Sequence, residues 1–359
     1  MRTGQVRCVL LLAAVGWLSA PAAVAPDGQG ARQRAEAATS SPSAGVRAVW
    51  IHAGMFPADQ AGATSRLRAL LDDYRAARIG TLFCFDSLPG QHRKGWDFLA
   101  SLVAEAHARG IQVHPIISPG YPVLLEGEVK EHPEWLITGT KGEIYRNLNL
   151  ADPAARLFVV RMVQEALKYQ VDGIHLDYAR FPLGQTFSYD RETTEAFKKE
   201  VGQSPLDVSR DSGNMVWCEW VKWNARQVTA LVGEIRAAVK AKDAKLLLSA
   251  AVFPNADISR FEIGQEWAAW AQGGLVDVFC PMLYTNDTRL FREYVRDAVR
   301  IAGGKGTVYA GIACLSSHNK NTPSGLLAEM DIAGAEGAAG VAIFSGYSLE
   351  GAFLEALKR

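Results

Sequence analysis

The sequence predicts an α/β fold, a single (β/α)8 TIM barrel with long loops after strands 3 and 4. Three observations predict it. Eight short runs rich in β-branched and aromatic residues recur along the chain, each followed by a polar loop and a segment of helical periodicity. Those runs are near-continuously apolar, as parallel strands covered on both faces are, and lack the alternation of a half-exposed sheet. About 315 residues from Gly45 onward hold all eight units without a further break in composition, the length of one large barrel. An open doubly wound sheet is the competing arrangement, but AGMFPADQ follows the first strand where that fold would place a glycine-rich phosphate loop.

Ahead of the barrel, Met1–Arg7 carries Arg2 and Arg7 and no acid, and the apolar run Cys8–Leu18 with small residues behind it comes next. This is the pattern of a signal peptide over residues 1–25, with an apolar part too short for a stable membrane anchor. The best small-x-small frame, Ala20-Pro21-Ala22, puts cleavage near residue 22, since cutting after Ala25 would leave Pro26 at the new terminus. The expected location is therefore outside the cytoplasm, periplasmic or extracellular. Residues 26–45 contain no large apolar side chain and cannot offset their ordering entropy, so they are expected to be a disordered spacer before a domain at 46–359.

Within that domain the strands are expected at Arg47–His52, Gly80–Phe85, Ile111–Ile117, Val171–Asp177, Lys245–Val252, Val276–Leu283, Thr307–Ala313 and Val341–Ser345. Asp152-Pro153 supplies an N-cap and a first-turn proline for a helix over Ala154–Tyr169, and Thr322-Pro323 does so for Ser324–Glu336. Arg109-Gly110 and Gly273-Gly274 read as helix stops. Two connections exceed ordinary loop length, Ser118–Leu150 and Phe181–Asn214. Both leave the carboxyl end of a strand, the face on which barrels build clefts, and their Tyr121, Trp135, Tyr145, Phe181, Phe187 and Tyr189 offer rings for stacking on sugars.

Charge balances at 38 basic against 38 acidic residues with no basic tract, which argues against nucleic acid or an anionic membrane as partner. Cys84, Cys218, Cys280 and Cys314 match no zinc spacing and are too few to staple the chain. They read as small buried thiols, with one disulfide as the alternative.

In VDGIHLDYARFP, strand alternation puts Gly173, His175 and Asp177 on one side and Ile174 and Leu176 on the other. The aliphatic pair belongs against the helices, so His175 and Asp177 point into the barrel at its carboxyl end. A carboxylate there needs partners or a chemical task. His52 ends the first strand, Asp86 follows the second, His114 lies within the third, Asn149 precedes the third helix, and Tyr284-Thr-Asn286-Asp287 follows the sixth. Glycoside hydrolysis needs two carboxyl groups. Asp177 is the first member; Asp287, the acid nearest the end of the sixth strand, is favoured as the second, with Asp86 next. Arg180 is placed to pair with Asp177 or to hold a sugar hydroxyl, and Trp50, Tyr284 and Tyr347 are candidate platforms.

HPEWL at 132–136, LNLADP at 148–153 and YQVDGIHLDYARFP at 169–182 resemble the glycosyl hydrolase-like family 10 domain. The helix over Trp217–Val239, the DVFCPMLY strand and the opening RAVWIHA fit the same pattern, so the likeness covers nearly the whole domain. The resemblance implies a (β/α)8 barrel acting on polysaccharide, with some bacterial members linked to peptidoglycan strands stripped of peptides. The layout is also similar to α-amylase and α-galactosidase barrels, whose nucleophilic Asp ends the fourth strand, a role that falls on Asp177. Many relatives carry a second acid directly after that Asp, where this chain has Tyr178.

The function expected is an exported retaining glycosidase of polysaccharide, with Asp177 as nucleophile and Asp287 or Asp86 as acid. Trp50, His52, His114, Asn149, His175, Arg180, Tyr284, Asn286 and Tyr347 would hold the substrate, with no cofactor and no metal. Two other classes compete. A metal-dependent barrel hydrolase would use His52, His114, His175 and Asp177, although Trp50-Ile51-His52 offers one histidine where such barrels present two. A carbohydrate-binding barrel without catalysis would explain Tyr178.

Overall fold

The computed structural model describes residues 45–88 and 95–359. The expected signal peptide and all of the expected spacer except Gly45 lie outside the described residues. Ten strands run in chain order: β1 (Val46–His52), β2 (Thr81–Phe85), β3 (Gln112–Ile117), β4 (Leu136–Thr138), β5 (Ile144–Leu148), β6 (Gly173–Leu176), β7 (Leu247–Val252), β8 (Val278–Pro281), β9 (Thr307–Ala313) and β10 (Gly340–Phe344). Eight of them close into a parallel barrel in the order β1-β10-β9-β8-β7-β6-β3-β2, the predicted (β/α)8 fold. β4 and β5 form a separate antiparallel hairpin inside the long loop after the third barrel strand, which the sequence patterns did not single out.

Alternation sorts the strand residues into two apolar layers. Val49 and Ile51, Leu82 and Cys84, Ile174 and Leu176 face outward and pack beneath the helices. Ala48, Trp50, Phe83, Ile116, Ala251, Cys280 and Ala342 fill the barrel interior. Helix starts follow the capping chemistry of the sequence: Asp152 accepts from the Ala154 and Ala155 amides with Pro153 at the first position, and Thr322 accepts from Gly325.

The loop after β6 carries its own helix, Arg191–Val201, and then feeds the longest helix, Met215–Lys242. Trp217, Trp220 and Trp223 of that helix bury against Phe187 and Phe197, each Trp contributing on the order of 2–3 kcal/mol by burial. The aromatics expected to stack on sugars from this loop, Phe181, Phe187 and Tyr189, instead anchor it as core. Cys84, Cys280 and Cys314 are buried thiols and Cys218 is half-buried on the long helix; among the described residues no disulfide forms. Among the described residues no helix is long and apolar enough to cross a membrane.

Candidate functional site

β6 holds the centre of the site. Its outward Ile174 and Leu176 fix the register, so His175 turns inward and Asp177 follows at the barrel mouth, with its amide donating to the Ile117 carbonyl of β3. The Asp177 side chain is 7% exposed. Its Oδ1 accepts the Tyr178 amide at 2.7 Å, and among the described residues Oδ2 has no hydrogen-bond partner. Burial pushes this carboxyl above the usual range, opposed by the charge of Arg180 and by the Tyr178 amide.

Beneath Asp177 lies a closed polar chain. The Trp50 indole donates to His175 Nε2 at 3.0 Å, and an indole can only donate, so the His175 proton sits on Nδ1 and goes to Ser249 Oγ at 2.8 Å. Ser249 in turn reaches the Ile174 carbonyl, and His114 Nδ1 lies 3.4 Å from the same hydroxyl. Phe83 stacks on His175 at 3.9 Å. Burial pushes His114 down to about 4 and His175 well below the ordinary histidine value, so both are neutral. Trp50, His114 and His175 were expected to touch sugar; at 0–2% exposure they form the floor that orients β6. The ring nitrogens of His175 are likewise already engaged, which removes it from the metal-ligand set considered above.

One wall of the mouth is an aromatic and cationic pile. The Arg180 guanidinium lies 4.1 Å from the Tyr178 ring centroid and 4.8 Å from that of Phe253, and Tyr121 meets Tyr178 edge-on at 4.8 Å. Tyr178 sits at φ +52°, a left-handed conformation rare for a bulky residue and most often kept where the surroundings enforce it. Gly120 is part of that enforcement. Its amide donates to the Tyr178 carbonyl at 2.8 Å, and a Cβ at this position would stand 1.8 Å from the Arg180 carbonyl oxygen. Asn147 of β5 then ties the Gly120 carbonyl at 2.9 Å. Tyr284 completes the wall, stacked on Phe344, with its hydroxyl raised well above the ordinary value by burial and then by the Asp177 charge.

Opposite stands a second group. His52 Nδ1 accepts the Gly54 amide at 2.8 Å, so Nε2 carries the proton and donates to Asp86 Oδ2 at 2.8 Å. Phe85 and Tyr347 flank the His52 ring, and Tyr347 is 57% exposed. Asp86, at φ +50°, directly follows β2.

Three expected site residues lie elsewhere in role. Asp287, the favoured second carboxyl, is exposed and caps the helix Thr288–Ala302 by accepting from the Arg289 and Leu290 amides. Those bonds lower its pKa, the opposite of what a general acid needs. Asn149 is buried and holds Asp190 and Thr193, joining two loops. Asn286 donates to the Lys320 carbonyl and braces neighbouring rim loops. Conversely, Ser249, Gly120 and Phe253 were not anticipated, because each acts through a partner far away in sequence. The glycine in SPGYP, next to two prolines, was the one local signal of a tight approach.

A family profile described as glycosyl hydrolase-like 10 matches residues 85–314. The glycosyl hydrolase YngK of Bacillus subtilis (strain 168) is 26% identical over 136 residues, covering 34% of this chain and 26% of that protein. The chain therefore spans about a quarter of that relative's length. Among solved structures, the glycoside hydrolase domain of PgaB (BpsB) from Bordetella bronchiseptica superposes with a TM-score of 0.70 at 15% identity, over 87% of this chain and 98% of that one. A β-galactosidase from the psychrophilic Marinomonas ef1 gives 0.64 at 14% identity, over 87% of this chain and 58% of that one.

Proposed function

The chain belongs to the glycosyl hydrolase-like 10 family, a family of glycosidase barrels, and from that premise we propose that it hydrolyses O-glycosidic bonds of a polysaccharide through Asp177. The observation that carries this is a buried carboxylate at the barrel mouth with one oxygen locked by a backbone amide and, among the described residues, no hydrogen-bond partner on the other. It fits a nucleophile. Burial raises this carboxyl, Arg180 and the Tyr178 amide oppose that rise in favour of the ionised form that attacks an anomeric carbon, and the neutral floor of Trp50, His175 and Ser249 holds β6 in place.

Asp86 is the second carboxyl on this proposal, oriented by His52, with Tyr284 and Tyr347 as hydroxyl and stacking partners for sugar. β2 and β6 both neighbour β3, so their ends lie roughly 10 Å apart across the ring at the usual strand spacing. Side chains converging across that gap can reach the separations of either retaining or inverting enzymes. Retention is the outcome we expect, through a covalent glycosyl–Asp177 intermediate, and proton NMR of the first-formed product decides it. The signal-peptide pattern supports an activity in the periplasm or outside the cell, where peptide-free peptidoglycan strands are a fitting polymer.

The test is a set of polysaccharides, including such strands, incubated with wild type and Asp177→Asn and read by mass spectrometry. Cleavage by wild type should fall at least about a thousandfold in the variant with an unchanged melting profile. Equal glycan binding by both proteins with no cleavage by either would make the barrel a binding protein.

A further inference from the structure

We propose that Tyr121 and Tyr145 form a ledge that holds the glycan chain beyond the sugar units at Asp177, so that the barrel cuts inside long chains; this rests on the glycosidase function proposed above. Among the described residues twelve large apolar side chains are exposed, and five of them, Tyr121, Leu124, Leu125, Ile144 and Tyr145, fall on two short segments. Those segments are neighbours. The Val123 amide donates to the Arg146 carbonyl at 2.6 Å, and the Arg146 guanidinium returns to the Val123 carbonyl at 2.8 Å. Apolar residues exposed singly are ordinary, whereas adjacent ones mark a surface made to be covered.

The place and chemistry of this patch argue for glycan as its occupant. Tyr121 meets the Tyr178 ring edge-on at 4.8 Å, and Tyr178 directly follows Asp177, so the surface is continuous with the barrel mouth. By alternation Tyr145 shares a face of β5 with Asn147, whose side chain reaches the Gly120 carbonyl beside Tyr121. A sugar offers C–H faces to a ring and hydroxyls to the polar groups around it, and a tyrosine meets both with one side chain. Polar groups are interleaved here: the Tyr145 hydroxyl donates to Glu143 Oε1 at 3.3 Å, and Glu143 and Arg146 on either side are exposed. Charged residues are depleted from the core of a protein–protein interface, which makes a second copy of the chain the poorer fit. The backbone bonds between the two segments set the ledge before any ligand arrives, so little ordering is lost on binding.

The experiment compares chain lengths. The substrates are peptide-free peptidoglycan strands, or the member of the polysaccharide set that wild type cleaves, and the shortest oligosaccharide of the same polymer still hydrolysed. Wild type should show at least about tenfold higher kcat/KM on the long chain, with products of mixed intermediate length at early conversion by mass spectrometry. Tyr121→Ala and Tyr145→Ala should each lower that ratio about fivefold, through KM on the long chain, and Tyr121→Phe and Tyr145→Phe, which keep the rings, should retain most of it. Leu157→Ala, which removes an exposed side chain from the helix Pro153–Ala166, should leave the ratio as in wild type. Any general effect on Asp177 applies to both lengths and cancels in the ratio. A wild-type ratio near one, release of products from a chain end alone, or an unchanged ratio in a folded double variant, Tyr121→Ala with Tyr145→Ala, overturns the proposal. A dimer seen by light scattering that the double variant abolishes while the ratio stays unchanged assigns the patch to a second copy instead. If wild type cleaves no polymer, the glycosidase function fails separately, and affinity electrophoresis on peptide-free peptidoglycan strands decides: binding that grows with strand length and is lost in the double variant supports the ledge, and binding indifferent to length or to the variant, or no binding, overturns it.

Discussion

Glu329 lies 5% exposed inside the helix Pro323–Ala335, where its Oε2 accepts from Asn321 Nδ2 at 2.9 Å. Asn321 also reaches the Ala313 carbonyl with Nδ2 and the Cys314 carbonyl with its amide, so this carboxyl anchors the loop that leaves β9. Burial pushes Glu329 from 4.5 up to about 7, with the Asn321 bond opposing. At about 1.4 kcal/mol per pKa unit, keeping it ionised in the fold costs up to about 3 kcal/mol. Because the folded pKa is the raised one, the folded state binds more proton between 4.5 and about 7. Stability from this group is therefore complete below that window and is lost as pH rises through it. Glu329→Gln keeps an acceptor for Asn321 and cannot ionise. Urea unfolding of the two proteins should give similar free energies near the bottom of the window and a variant about 2–3 kcal/mol more stable at alkaline pH, with unchanged m-value. A difference that does not vary with pH, or a variant less stable on the alkaline side, would refute the assignment of a buried, proton-holding carboxyl.

Two more outcomes follow from the site. Asp287→Ala should lose about 1 kcal/mol of stability through the missing helix cap while keeping kcat/KM within about twofold, measured by urea titration and by assay on the cleaved polymer; a large activity loss without destabilisation would restore Asp287 to the chemistry. The acid limb of kcat/KM should lie above the ordinary aspartate range, because burial raises Asp177 and its ionised form is the nucleophile. Removing the Arg180 charge should move that limb further up, and a limb that shifts downward would contradict the through-space effect of the guanidinium on Asp177.

Much of the barrel was legible because strand and helix signals are local. Each of the eight expected strands overlaps one of the observed barrel strands, since an apolar run bounded by turn residues needs only its own side chains to declare itself. The β4–β5 hairpin escaped because its exposed Ile144 and Tyr145 follow no clean alternation. Loop aromatics such as Phe187 could not be sorted into core or cleft, since composition is the same in both cases.

The inward aim of Asp177 and the family likeness around it were therefore properties of the linear chain: period-2 geometry assigns a side to every residue once one face is known to be apolar. The partners of each group were decided only by ring closure. Trp50 meets His175 across 125 residues and His114 approaches Ser249 across 135. Asp287 and Asp86 look equivalent in sequence, yet one is spent on two helix amides and the other is held by a histidine. Alternation is set by neighbours in the chain, whereas a carboxylate's hydrogen bonds, burial and charge environment are set by whatever the closed barrel brings beside it.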